Sequence, residues 1–560
     1  MGSKGLQKLL LLSVLIGLST LANAQAFRVQ CPTSTTLHPT VGTGSPVGPG
    51  AAYTPATADV TVSTTASGAA YISNGGMIKC QQVSGGDGYA TMADGTQIYL
   101  FAFGPLSGLA DIANGLPGTE IASDFNTLPP VSLAVGDPAV NGSLLNNFKG
   151  AVGLARDPEV LADPACSSAN PPDYCNPASA MYGLDGHVDP RPIMDVGVMN
   201  GNQPAPLMAI DEDDEFFLTL TNVGMLMRPD LFEQHTIHFH GYPNASSFYD
   251  GVPDASVAIN IGGSMTYYYL APDAGTYFWH CHITPPEHLQ MGMVGQLYVR
   301  PRQNRVPAGA SLHAALVTQQ SDLRTKSDCT QDILCTTPIP PVDNGATHGM
   351  NKSLGNTLYA YNDGDGTTAY DVEYPLQIHG FDPNFHFVGM TFNPEGFADM
   401  KDKYFLLNGR SYPDTVQQGT MQTPSSDTTL HDSQPLPSII NIPVGGRALL
   451  RISDLDVSEY QTLASLGIPM TVVAQNARLL RDEAGNNLYY NTNSITLAGG
   501  ESIDVILDAS DPKFTSGQKF YLYSPNLDHL SNDAENFGGL MTEINICSSV
   551  DPNTKACPAS

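Results

Sequence analysis

Six of the fourteen histidines lie between residues 235 and 288, and a cysteine sits among them. The stretch opens His235-Thr-Ile-His238-Phe-His240-Gly241. It closes Trp279-His280-Cys281-His282-Ile283, with His288 and Met293 following. Successive side chains of a β-strand point to opposite faces. His238 and His240 therefore share a face, as do His280 and His282, while Cys281 takes the other side. His235, three residues before His238, falls on the side of Cys281 if the strand is regular. Two adjacent strands would thus carry two donor sets back to back. One set is four imidazoles: His238, His240, His280 and His282. The other is His235, Cys281 and His288, with Met293 as a distant fourth. Two imidazoles, a thiolate and a weak thioether are the donors of a blue-copper electron-transfer site, and clustered imidazoles suit a copper that handles O2. A structural zinc would gather four ligands in one cage, not two opposed sets. One His-x-His alone is more often chance or a surface pair; the joint pattern is what points to copper.

Strands must hold these residues, and the composition supplies them. The chain has 560 residues, with 54 Gly and 43 Pro. That excludes a long helical bundle. Its 20 Phe, 24 Tyr and 41% apolar residues exclude global disorder. Short runs rich in Val, Ile, Tyr and Phe alternate with Gly, Asn, Asp and Pro, as at Gln97–Phe103, Glu215–Thr221, Met265–Leu270 and Gly275–Trp279. The second half repeats the pattern from Tyr404–Leu407 to Lys519–Tyr523. The pattern predicts an all-β fold of antiparallel β-sandwiches. The expected organisation is a signal peptide over 1–24, an extended leader over 25–88, and a copper-binding sandwich over 89–300 with an insertion near 104–195. A linker over 301–365, a second sandwich over 366–548 and a tail over 549–560 complete it.

Lys4 and Lys8, the apolar stretch Leu9–Leu21 and Ala22-Asn23-Ala24 read as a cleavable export signal. No later window is long and apolar enough to predict a membrane span. The protein is expected to be exported, to a periplasmic, outer-surface or extracellular location. Eight cysteines fall in sequence-local pairs, Cys31/Cys80, Cys166/Cys175, Cys329/Cys335 and Cys547/Cys557, leaving Cys281 as the odd thiol. In an exported chain the pairs read as disulfides. A net charge of −30 from 24 Lys+Arg and 54 Asp+Glu excludes nucleic-acid binding through a basic face.

Segment 235–293 resembles the copper-binding domain of the multicopper oxidases, the laccase-like cupredoxin family. The resemblance implies Greek-key cupredoxin sandwiches, two in tandem. It implies that His235, Cys281, His288 and Met293 hold type 1 copper, and that His238, His240, His280 and His282 supply half of a type 2/type 3 cluster. His280-Cys281-His282 would be the electron path between them. A reducing substrate, a metal ion or a small phenol, would lose one electron at a time, with O2 as acceptor. Phe405-Leu-Leu-Asn-Gly-Arg410 and Val444–Ile452 resemble the family's copper-free domain. Three departures stand out. His288 follows Cys281 by seven residues, two more than the common spacing, and Pro285-Pro286-Glu287 fills the gap; Glu287 could then sit near the substrate. Met291 competes with Met293 as axial ligand. A full cluster needs eight histidines in four His-x-His pairs, and only two such pairs occur here. The missing half could come from a homotrimer through His379, His386, His431 or His529, or from a partner subunit. A degenerate blue-copper electron-transfer or copper-handling protein and a nitrite-reductase-like enzyme are the alternatives. Asp211-Glu-Asp-Asp-Glu215 reads either as a solvated strand entry or as a cation-gathering run. Met225, Met227, Met291 and Met293 would favour Cu(I) or simply pack a core. Asn244-Ala-Ser246 and Asn351-Lys-Ser353 fit the glycosylation pattern.

Overall fold

The computed structural model describes residues 76–125, 199–241, 246–271, 273–320, 337–349, 357–389, 396–424 and 430–558, with a few residues near the N-terminus, Cys31 and His38 among them. The expected signal peptide, the asparagines of both glycosylation motifs, Asn244 and Asn351, and the pairs Cys166/Cys175 and Cys329/Cys335 lie outside the described residues.

Two β-sandwiches form. The first contains β1 (Ile78–Thr91), β2 (Gln97–Pro105), β3 (Met208–Asp211), β4 (Glu215–Asn222), β5 (His238–His240), β6 (Ser264–Leu270), β7 (Gly275–His280), helix α1 (Pro285–Gln290) and β8 (Val294–Arg300). One sheet runs β2-β1-β4-β6 and the facing sheet β3-β8-β7-β5. The strands form because their sequences alternate. In β6, Met265, Tyr267 and Tyr269 enter the core while Thr266 and Tyr268 are half-buried on the other side. Phe101, Phe103, Phe216, Leu218, Trp279 and Leu297 fill the space between the sheets.

The second sandwich pairs a sheet built on Val372–Phe381, Arg447–Asp454, Glu501–Asp508 and Met470–Gln475 with one built on Ile440–Pro443, Met541–Cys547, Lys519–Tyr523 and Gln461–Leu466. Leu376, Ile442, Leu450, Val472 and Val505 lie in its core.

The antiparallel expectation needs correcting at four places. β1 runs parallel to β4 and β3 to β8, as do Val372–Phe381 to Arg447–Asp454 and Ile440–Pro443 to Met541–Cys547. Parallel neighbours require a crossover through other strands, which local turn residues do not reveal. The expected leader also ends earlier than residue 88. Its last residues, from Ile78, are the first half of β1, the strand at the centre of its sheet. Cys31 is tied to β1 by a disulfide to Cys80, and a second disulfide joins Cys547 to Cys557. The expected linker is likewise structured: it holds a helix over Leu312–Gln320 and a short strand, Leu358–Tyr359.

β7 is buried on both faces. Tyr277 and Trp279 look into the first core. Thr276 and Phe278 look toward the second sandwich: Thr276 Oγ1 donates to Asp504 Oδ1 at 2.5 Å, and Phe278 packs with Leu455. His280, two residues further on, shares that outward face.

Candidate metal centre

Cys281 follows directly on β7 and is fully buried. Its N–H donates to the carbonyl of Met293 at 3.2 Å, and the N–H of Met293 donates to the carbonyl of His288 at 2.8 Å. These bonds gather the three residues. The wider Cys281-to-His288 spacing is absorbed by α1, which Thr284 enters in the left-handed region (φ 38°) and two prolines start. His288 Nδ1 lies 3.3 Å from Cys281 Sγ, and His235 Nδ1 lies 3.8 Å from it. His235 reaches this side from just before β5, where it bridges Ile259. All three side chains are buried, so charge is disfavoured on each. Burial pushes the thiol up to about 11 and His288 down to about 3. Burial and the neighbouring His288 hold His235 well below its ordinary value. The imidazoles thus present neutral lone pairs. Met291 and Met293 line the same core, but the Met291 thioether lies against Gly389. The donor set fits type 1 copper in kind, number and convergence.

On the opposite side of the strand, His238, His240 and His280 bring one ring nitrogen each within 4.8 Å of one another. His280 pairs with His238 across β7 and β5. His240 Nε2 and His280 Nε2 are 2.9 Å apart. His238 donates its Nδ1–H to the carbonyl of Asp250 at 2.6 Å, and His280 donates its Nδ1–H to the carbonyl of Cys281 at 2.7 Å. Both bonds fix the tautomer and leave Nε2 as the ligand atom. Burial lowers His280 to about 3 and His240 to about 4. His282 is half-buried and stands beside this trio, its ring 4.9 Å from that of His238 but outside the converging group. β7 ends at His280, so the strict alternation expected for His282 no longer applies.

Three of the four histidines expected to serve a neighbouring copy are buried on partners of their own. His379 is buried and its Nδ1 donates to the carbonyl of Leu455 at 3.0 Å. His386 is buried between the carbonyls of Tyr99 and Gln290. His529 is buried, 2.9 Å from Glu459 and stacked on Phe405. His431 sits in a strand whose side chain there lies outside the described residues. The residues present therefore fit half of a type 2/type 3 set.

Both readings of the acidic run fail. Residues 212–215 are buried, each at 3% exposure or less, and the run is neither solvated nor open to a free cation. Asp211 and Asp214 grip Lys79, Asp213 grips Arg302 and Arg305, Glu212 meets Arg302 and Asn362, and Glu215 meets His38 and Tyr268. The run joins β1, β3 and β4 to the start of the expected linker. Of the four methionines, Met225, Met291 and Met293 are core residues and Met227 is exposed.

Two carboxylates reach the rim of the thiolate set. Glu233 Oε2 is 3.8 Å from His288 Nε2. Glu287 is half-buried, and burial with the repulsion of Glu233 holds it above its ordinary range. Sequence reading singled out Glu287 but not Glu233, although Glu233 lies two residues before His235. Nor did it find the stretch of the second sandwich that faces His240, because no local motif marks it.

Residues 186–304 match the profile of a family described as multicopper oxidase. A laccase of Aspergillus fumigatus is 35% identical over 109 residues, 19% of this chain and 17% of that protein. A copper-containing nitrite reductase of Rhizobium meliloti is 35% identical over 109 residues, 19% of this chain and 26% of that one. The blue copper oxidase of Nitrosomonas europaea aligns over 83% of this chain and 85% of its own, at 16% identity and a TM-score of 0.44. The matched segment spans less than a fifth of the length of the laccase. No helix among the described residues is long and apolar enough to cross a membrane. The matched segment holds both donor sets, and over it the chain is similar to the multicopper oxidase family.

Proposed function

We propose that this protein is an exported copper oxidase, taking electrons one at a time from a reducing metal ion and using O2 as acceptor. The observation that carries the reading is the placement of Cys281. Its thiol converges with His235 and His288, while its chain neighbour His280 converges with His238 and His240 on the other face. Copper on the two sets would supply one-electron chemistry and O2 binding. His235, Cys281 and His288 would hold the first copper, with Met293 as axial ligand. Met293 is preferred to Met291 because its backbone is bonded to both Cys281 and His288. Buried, neutral imidazoles and an apolar wall exclude water from that site. Glu233 and Glu287 would place a metal cation against the edge of His288, the shortest way in for an electron. The peptide unit between Cys281 and His280 would carry it across the strand. The two disulfides suit an oxidising, exported setting.

The test is O2 uptake by the copper-loaded full chain with Fe(II), Cu(I) or a phenol as reductant. Uptake is expected with a metal ion, faster than with the phenol, and lost in Cys281→Ser. Uptake unchanged by that substitution would sink the reading. A second reading, a blue-copper electron carrier, is favoured by the incomplete imidazole set; it predicts no O2 uptake with any reductant.

A further inference from the structure

A type 2/type 3 cluster needs a second group of imidazoles opposite the first, and the place opposite is already occupied by this chain. A cavity of about 450 Å³ lies against His240 and His280. Its far wall is the second sandwich, residues 455–460 and 498–500. Gly500 approaches so closely that a Cβ there would be 3.6 Å from His240 Nδ1. The wall is built, not draped. Asp456 accepts from the backbone N–H groups of Ser458 and Glu459, at 2.8 and 3.1 Å, and from Gln461 Nε2 at 2.6 Å. The N–H of Gly500 donates to the carbonyl of Asp454 at 2.9 Å. The ionisable residues lining the cavity from this wall are Asp456, Glu459 and Tyr460, and none is a histidine. Asp456 is engaged in shaping its own turn. Glu459 is 43% exposed, and its carboxylate meets His529 Nε2 at 2.9 Å.

The histidine count closes the argument. Of the fourteen, six belong to segment 235–288. His38, His379, His386 and His529 are buried among other partners, and His313 and His348 pack near Pro340 and Tyr359. Only His187 and His431 have side chains outside the described residues. Two is fewer than the four a cluster still lacks, whether they come from the same chain or from a second copy.

We propose that the imidazole face takes one mononuclear copper through Nε2 of His238, His240 and His280, with Glu459 of the chain's own second sandwich beside it, in place of a trinuclear cluster. The proposal rests on the copper-oxidase reading, but the two fail differently. Copper content and EPR spectra of the copper-loaded full chain decide. The expected result is two coppers per chain, one blue and one with a type 2 signal. His240→Gln should lower the count to one and keep the blue signal. Glu459→Gln should keep two coppers and shift the type 2 hyperfine splitting. His187→Gln with His431→Gln should leave the count at two. About four coppers with an EPR-silent pair would overturn the proposal, as would one blue copper alone or a count that falls in the double variant. An unchanged type 2 signal in Glu459→Gln would remove the carboxylate from it. Absence of any blue copper would instead overturn the oxidase reading.

Discussion

His280 donates its Nδ1–H to the carbonyl oxygen of Cys281, the residue that follows it, across 2.7 Å. The two donor sets are therefore joined twice, once through the peptide bond and once through this hydrogen bond. The bond also dictates which nitrogen of His280 is left to bind a metal. Replacing Cys281 by Ser should abolish the blue absorption band and lower bound copper by one per chain, with the imidazole copper retained. Metal analysis and visible spectra check this; a variant that keeps its blue band would refute the assignment.

Gly85 packs on His235, and a Cβ at that position would fall 2.8 Å from the ring Cδ2 and 3.1 Å from Cγ. Gly85→Ala must push the imidazole away from Cys281. Overpacking of this kind costs ~1–3 kcal/mol. The type 1 EPR signal should change along with a lower melting temperature, and an unaltered signal would count against His235 as a ligand.

Glu233 lies 3.8 Å from His288. If it seats a cationic substrate, Glu233→Gln should raise KM for Fe(II) or Cu(I) up to about fivefold, because an exposed ion pair is worth up to ~1 kcal/mol. Glu287→Gln should act in the same direction. Steady-state kinetics with a metal ion and a neutral phenol tests the idea, and an equal loss for both reductants would contradict it.

Arg302 is buried between Glu212 and Asp213, with Nη2 2.6 Å from Asp213 Oδ1. Arg302→Ala leaves buried carboxylates without that partner, which costs ~3–5 kcal/mol. Denaturant unfolding should show this loss, and a loss below ~1 kcal/mol would mean that water reaches the acidic run.

Asp87 is 1% exposed, accepts from Tyr99 and the N–H of Met227, and leaves its Oδ1 without a partner. Burial raises its pKa from 3.8 to about 6. A folded value above the unfolded one means the stabilisation is complete below pH 3.8 and is lost as pH rises through 6. Asp87→Asn removes this loss, so it should gain on the wild type by at most ~3 kcal/mol between pH 4 and pH 7.5. Urea unfolding at both pH values measures it; the same difference at both would place the cost elsewhere.

The copper motifs were legible because they are local. His238-Phe-His240 and His280-Cys281-His282 sit at the period of a strand, and that period alone separates Cys281 from its neighbours. The all-β class was legible for the same reason, since alternation and turn residues are short-range properties. The acidic run was misread because its partners, Lys79, Arg302, Arg305 and His38, lie far from it in sequence; burial and pairing arise only when β1 and the start of the expected linker close over it. The parallel strand pairs were hidden because crossovers leave no local trace. His282, expected as the fourth imidazole, stands outside the converging trio because β7 stops at His280. By itself the sequence determined which atoms could bind copper and that they form two opposed sets. Only the tertiary structure decided what faces those sets, because the wall against His240 comes from residues 455–500, over two hundred positions away, and brings carboxylates where imidazoles were needed.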